Sequence, residues 1–306
     1  MKTLVTGGAG FIGSHIAEAY LAAGHEVFVL DDLSSGKREN LTEGATLEVA
    51  DLRSPEAAAF VKAVRPDVVC HHAAQMNVRR SVEDPMFDAD VNVLGLLNVV
   101  EAARAVGTKR VIFASSGGTV YGDPANVPPA ESEPLNPLCP YGVSKVAGEI
   151  YLGYYARIHG LHSVILRYGN VYGPRQDPRG EAGVISIFAQ RLLANQQCTI
   201  YGDGRQTRDY VFVGDVARAN VAALTTSQSG AFNISTGIET DVVELFEKIQ
   251  TLVGVGPKAV HADALAGEVR RSVLACGRAS KQLGWEPTTA LASGLDATIE
   301  WFRGRS

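Results

Sequence analysis

Tyr141 and Lys145 stand four residues apart in a stretch with helical spacing, so one helix face presents a phenol beside an ammonium. A free tyrosine, with a pKa near ~10, is a poor base at neutral pH. A neighbouring cation favours the phenolate, as would the positive ring of an oxidised nicotinamide. On its own, Tyr-x-x-x-Lys is a common solvated helix pattern. A second feature gives it a chemical setting. The run Gly7-Gly8-Ala9-Gly10-Phe11-Ile12-Gly13 lies between a strand pattern, Lys2 to Thr6, and a helical one, Ile12 to Ala23. Gly8, Gly10 and Gly13 fit G-x-G-x-x-G in the strand–turn–helix context that a dinucleotide requires. Glycines permit the tight turn, admit a pyrophosphate to backbone N–H groups, and bring the helix N-terminus to its charge. Gly7, Gly10, Phe11, Ile12 and Gly13 are the expected phosphate-side contacts. Asp31, followed by Asp32, ends the second strand, where a carboxylate can accept from ribose hydroxyls and repel a 2′-phosphate. NAD is therefore expected rather than NADP.

The elements that must hold these groups alternate. Strand patterns run Lys2 to Thr6, Glu26 to Leu30, Thr46 to Val49, Asp67 to His71, Arg110 to Ala114 and Ser163 to Arg167. Helical patterns between them cover Ile12 to Ala23, Pro55 to Val64, Val91 to Val106 and Tyr141 to His159. Such alternation predicts an α/β fold: a Rossmann-like, doubly wound parallel sheet. After Arg167 the regularity fails, which suggests a smaller domain of mixed helices and short strands, partly interleaved with the first. The expected division is 1–169 for the NAD-binding domain, with part of 206–235 returning to it, and an interleaved cap over 170–306. The 306 residues are 46% hydrophobic with a formal charge of -5, which argues against nucleic acid or an anionic membrane surface as partner. No apolar run has membrane-spanning length, and Met1 to Gly13 lacks a secretory signal pattern, so a cytoplasmic protein is expected. Four scattered cysteines, Cys70, Cys139, Cys198 and Cys276, have no metal-ligand spacing and read as free thiols.

These motifs resemble the extended short-chain dehydrogenase/reductase family, and within it the nucleotide-sugar 4-epimerases. The resemblance covers nearly the whole chain: Thr6-Gly7-x-x-Gly10-x-x-Gly13, Asp51-Leu52, His72-Ala73-Ala74, Asn92, Tyr121-Gly122 and Tyr141-x-x-x-Lys145. It continues through Arg167-Tyr168-Gly169-Asn170-Val171-Tyr172-Gly173-Pro174 and Gly202-Asp203-Gly204-x-x-Thr207-Arg208-Asp209-Tyr210. It implies a tightly held NAD, a UDP-sugar substrate bound by a smaller mixed α/β substrate-binding cap, and a homodimer formed through two helices per subunit. Carried over by residue, it implies that Asp51 and Leu52 contact adenine and that Ala73 lies near the cofactor. Asn92 and Tyr168 would serve the ribose and nicotinamide side. Asn170 and Arg208 would grip the substrate diphosphate, with Arg270 a second arginine, and Thr199 and Tyr201 would face uracil. Aligning on Gly267-Glu268 puts Ser272 where a bulky tyrosine often fills the space beside the sugar 2-substituent.

One departure from the family pattern concerns the catalytic hydroxyl. The family usually places a Ser or Thr four residues before the Tyr-Gly pair, and here that position is Gly117. Ser116 is expected to take the role, with Thr119 as the alternative. Related 4,6-dehydratases carry Asp-Glu in this segment and the sugar-acid decarboxylases a Glu; Gly117-Gly118-Thr119-Val120 has no carboxylate. The resemblance thus favours an epimerase interconverting UDP-galactose and UDP-glucose through a 4-keto sugar, with N-acetylated hexoses as further candidates. A silent NAD-binding regulator would be expected to lose Tyr141 or Lys145.

Overall fold

Seven parallel strands make the main sheet in a computed structural model that describes residues 1–178, 183–254, 256–264 and 269–305. Their order across the sheet is Gly230–Ile234, His162–Tyr168, Arg110–Ser116, Val68–His71, Lys2–Thr6, Glu26–Asp31 and Thr46–Val49. Central strands are apolar at successive positions because both faces are covered. Val5, Cys70, Ile112 and Leu166 pack under helices Phe11–Ala22 and Val213–Thr225. Leu4, Val69, Val111 and Phe113 pack under Pro55–Val64, Gly95–Ala105 and Pro140–His159. The strand order reverses between Lys2–Thr6 and Val68–His71, so a crevice opens beyond their carboxyl ends.

The cap is built around strand Thr207–Phe212. It pairs antiparallel with Glu239–Asp241 and parallel with Asn170–Tyr172 and Arg271–Ser272. Strands Thr199–Tyr201 and Val260–Ala262 form a separate pair. Phe188, Leu192, Ile200, Leu245, Phe246 and Phe302 give this region its own core. The chain returns to the main sheet between these pieces. Helix Val213–Thr225 lies on the first core, and strand Gly230–Ile234 extends the sheet beside His162–Tyr168.

The helix expected from Val91 starts differently. Two short helices, Val78–Glu83 and Pro85–Ala89, come first, and Asp90–Leu94 forms a wide π-type turn before Gly95–Ala105. Asp84 accepts from the Phe87 N–H at 3.0 Å and Pro85 opens the second short helix, a capped start that the apolar spacing does not announce. Among the described residues, no helix is long and apolar enough to cross a membrane.

Candidate active site

The glycine turn occupies the crevice floor. Gly7 has φ +67°, and a Cβ there would lie 2.7 Å from the Ala73 nitrogen. The tight-turn glycine is thus Gly7 rather than Gly8, whose added Cβ would meet the Val29 methyls at 2.8 Å. A Cβ on Gly13 would collide with the Gly7 carbonyl oxygen. Gly10 leaves helix Phe11–Ala22 without a side-chain cap, and its first turn holds no acidic residue. The uncapped N–H groups of Phe11, Ile12 and Gly13 and the positive end of the helix dipole fit a diphosphate.

Asp31 is buried, and its two oxygens accept from Ala9 N–H at 2.9 Å and Leu33 N–H at 2.8 Å. Burial raises its pKa, and those two N–H bonds oppose the rise. Asp31 therefore ties the glycine turn to the second strand, and its carboxylate keeps acceptor capacity for a ribose hydroxyl. Asp32 is exposed and accepts from Ser34, N–H at 2.9 Å and hydroxyl at 2.6 Å. Arg53 grips Asp51 by its Nε at 2.9 Å and a terminal nitrogen at 2.5 Å, holding that carboxyl below its usual range. Leu52 is buried beneath this pair, and its carbonyl accepts from Asn98 at 2.7 Å.

Asn92 sits in the π-type turn and clasps the loop after Ala73. Its Oδ1 accepts from Gln75 N–H at 2.8 Å, and its Nδ2 donates to Gln75 O at 2.9 Å. The same nitrogen lies 3.1 Å from both Asp88 Oδ1 and Ser144 Oγ. Tyr168 is buried on the other side of the sheet, where its hydroxyl accepts from Asn220 at 2.9 Å and lies 2.8 Å from His72 Nε2. Its phenol is committed to that network.

Tyr141 and Lys145 share the inner face of helix Pro140–His159, with the Lys145 Nζ 5.6 Å from the Tyr141 ring centre. Lys145 is buried and donates to Ala114 O at 3.0 Å. Burial pulls its pKa down to about 8, against the pull of Asp88 and Glu149. Burial also pushes the Tyr141 phenol up, assisted by Asp88 and Cys139, while a hydrogen bond with Ser116 acts the other way. Ser116 ends strand Arg110–Ser116, opposite Tyr168. The Thr119 hydroxyl is buried with no hydrogen-bond partner. A Cβ on Gly117 would collide with Leu274 Cδ1, so a cap side chain fills the place where the family pattern expects a hydroxyl.

On the cap side, Ser272 pairs in register with Arg208, and its Oγ lies 3.8 Å from where a Gly118 Cβ would stand. Arg208 donates to the carbonyls of Thr207 at 2.9 Å and Val269 at 2.8 Å. Asn170 lies on the neighbouring strand, with its amide 3.4 Å from Asp209 O. Arg270 instead makes a two-pronged bond with Asp203, at 2.9 and 2.8 Å, on the surface. Thr199 and Tyr201 lie on the outer strand pair, with the Tyr201 side chain exposed. Gly267 and Glu268, used for alignment, lie outside the described residues.

A supporting network lies behind the site. Glu149 makes a buried pair with Arg167 at 2.6 Å and accepts from Ser115 Oγ at 2.5 Å. Arg167 donates to the Tyr121 hydroxyl at 2.8 Å, which donates to Asn233 at 2.7 Å. Removing either charge would strand the other in the interior. Glu149 stands four residues past Lys145 on the same helix face, a spacing signal that was available in the sequence. Asp209, buried in the cap, takes N–H groups from Thr236, Gly237 and Leu274; the sequence motif includes this residue but gives it no role.

The sequence profile of the NAD dependent epimerase/dehydratase family matches residues 3–235. The chain is 46% identical over 312 residues to a UDP-glucose 4-epimerase of Mycolicibacterium smegmatis, covering 100% of both. It is similar in structure to the UDP-glucose 4-epimerase of Thermotoga maritima solved with UDP-glucose, with TM-score 0.97 and 44% identity, covering 100% of this chain and 99% of that one. A UDP-glucose 4-epimerase of Thermus thermophilus in complex with NAD gives TM-score 0.95 and 45% identity, covering 100% of each.

Proposed function

We propose a function for this chain, which belongs to the NAD dependent epimerase/dehydratase family: it interconverts UDP-galactose and UDP-glucose by inverting C4. The observation that carries this reading is the Tyr141–Lys145 pair on one helix face, with the buried Lys145 Nζ 5.6 Å from the Tyr141 ring centre and bonded to Ala114 O. The segment before Tyr121 offers no carboxylate for elimination. Purified protein incubated with UDP-galactose should yield UDP-glucose without added cofactor. A 4-keto-6-deoxy product would move the chain to the dehydratases, and no product at all would favour a silent binding protein.

Each group has a role that its placement supports. The turn of Gly7, Gly10, Phe11, Ile12 and Gly13 would hold the NAD pyrophosphate, and Asp31 the adenosine ribose. Bound NAD supplies a reversible hydride acceptor for the sugar C4. Tyr141 takes the proton from the 4-hydroxyl and returns it after the sugar has turned, with the Lys145 ammonium favouring the phenolate. Ser116 aligns the 4-hydroxyl. Arg208 and Asn170 keep the diphosphate anchored while the sugar rotates, a task suited to a guanidinium fork.

The hydroxyl assignment is open to direct test. Ser116→Ala should lower turnover about tenfold or more with little change in KM, as for a group used mainly in the transition state. Thr119→Ala, the matched control, should stay near wild type. A full effect at Thr119 and none at Ser116 transfers the role.

Helix Pro140–His159 turns Val143, Ile150, Tyr154 and Ile158 outward, all well exposed. An apolar stripe of this kind suits a second copy of the chain packing helix against helix. The proposed homodimer should dissociate in the Ile150→Glu, Ile158→Glu variant, measured as a halved mass by sedimentation equilibrium.

A further inference from the structure

Asp88 is 1% exposed, and its Oδ2 has no hydrogen-bond partner. A buried carboxylate oxygen left unpaired is costly, so its charge should be compensated from nearby. Asp88 lies on helix Pro85–Ala89, which packs against the helix carrying Tyr141 and Lys145. Its Oδ1 accepts from Gln75 at 3.0 Å and Asn92 at 3.1 Å. Asn92 in turn reaches Ser144, the residue before Lys145, at 3.1 Å. One contiguous set of bonds thus joins this carboxylate to the helix and to the loop after Ala73.

The groups that face the pair from each packed element leave Asp88 as the unbalanced anion. Glu149, on the same helix as Lys145, is already neutralised by Arg167 at 2.6 Å. His71 and His72 are held neutral by burial, which pulls each pKa down to about 3. Cys139 precedes the helix. Among the described residues Asp88 forms no ion pair, yet its charge raises the pKa of both Lys145 and Tyr141. We propose that Asp88 is a positioning residue: its carboxylate is the counter-charge of the buried Lys145 ammonium and, through Asn92, sets the catalytic helix against the loop after Ala73. This rests on reading Tyr141 and Lys145 as the acid–base pair.

The test is the pH profile of Asp88→Asn, in protein whose melting temperature and bound NAD match wild type. Loss of the charge lowers the pKa of both groups, so both limbs of the turnover profile should move to lower pH. On the alkaline side, near pH ~8.5, turnover should fall about tenfold for a one-unit shift, with little loss near pH ~6.5. A merely structural role would depress turnover evenly and leave both limbs in place, and that result would overturn the proposal. Ultraviolet titration of the Tyr141 phenolate, taken as the difference from Tyr141→Phe, reads the same charge without turnover. A midpoint unmoved by Asp88→Asn counts against Asp88 even in an inactive protein. A moved midpoint in a protein with no epimerase activity would spare Asp88 and sink the assigned reaction instead. Should Asp88→Asn fail to fold, the smaller Asp88→Ser serves the same comparison, while Asp88→Glu should keep both limbs at their wild-type positions.

Discussion

Tyr141→Phe should lower turnover of UDP-galactose by ~10²–10⁴-fold, the range typical of a positioned acid–base group. The phenyl ring keeps the volume and the contact with Lys145, so the helix face and the bound cofactor should survive. Only the proton-carrying oxygen leaves. Bound NAD, released by denaturation and quantified, and UDP affinity by calorimetry separate loss of chemistry from loss of binding. Unchanged turnover would make Tyr141 a structural helix residue. The wild-type pH dependence bears on the same pair. Lys145, lowered by burial to about 8, is mainly an ammonium at pH 7 and loses its proton as the pH rises through that value. Its support for the phenolate weakens there, so turnover should decline on the alkaline side in wild type and already be low everywhere in the Phe variant.

What the sequence made legible was local. The strand–turn–helix of residues 2–22 is written in glycines, because close backbone approach leaves no room for a Cβ. Gly7 and Gly8 show the limit: each begins a glycine pattern that ends at Gly13, and only the positive φ of Gly7 and the approach of Ala73 tell their roles apart. The Tyr141–Lys145 pair was legible for the same reason, since both lie on one helix and need only its period. Asn233 and Asp209 act across long sequence separations, where no periodicity connects partners. Gly117 is intermediate. Its missing hydroxyl is plain in the sequence, but Leu274, which fills the space, arrives from the cap more than a hundred residues later.

The second large effect is expected in the choice of sugar, from that same cap segment. Strand Arg271–Ser272 lays Ser272 beside Arg208 on one side and the Gly118 turn on the other, between the proposed diphosphate grip and the catalytic segment. A serine leaves space there that a tyrosine would fill. Exclusion of a larger sugar depends on clash, whereas the smaller sugar loses little when a wall recedes. The wild-type chain should therefore epimerise UDP-N-acetylglucosamine as well as UDP-glucose and UDP-galactose. Ser272→Tyr should cut the N-acetyl activity by about a hundredfold or more, while UDP-galactose turnover stays within roughly threefold. Competing the two substrates in one reaction, with products separated chromatographically, measures the ratio of kcat/KM directly. Gly118 matters to the outcome, because a phenol reaching from position 272 must pass over a residue with no side chain. Gly118→Val in the wild-type background should accordingly narrow the same space from the opposite wall and also favour the smaller sugar. If wild type does not turn over UDP-N-acetylglucosamine, another side chain already closes the pocket and Ser272 is a cap-strand residue only.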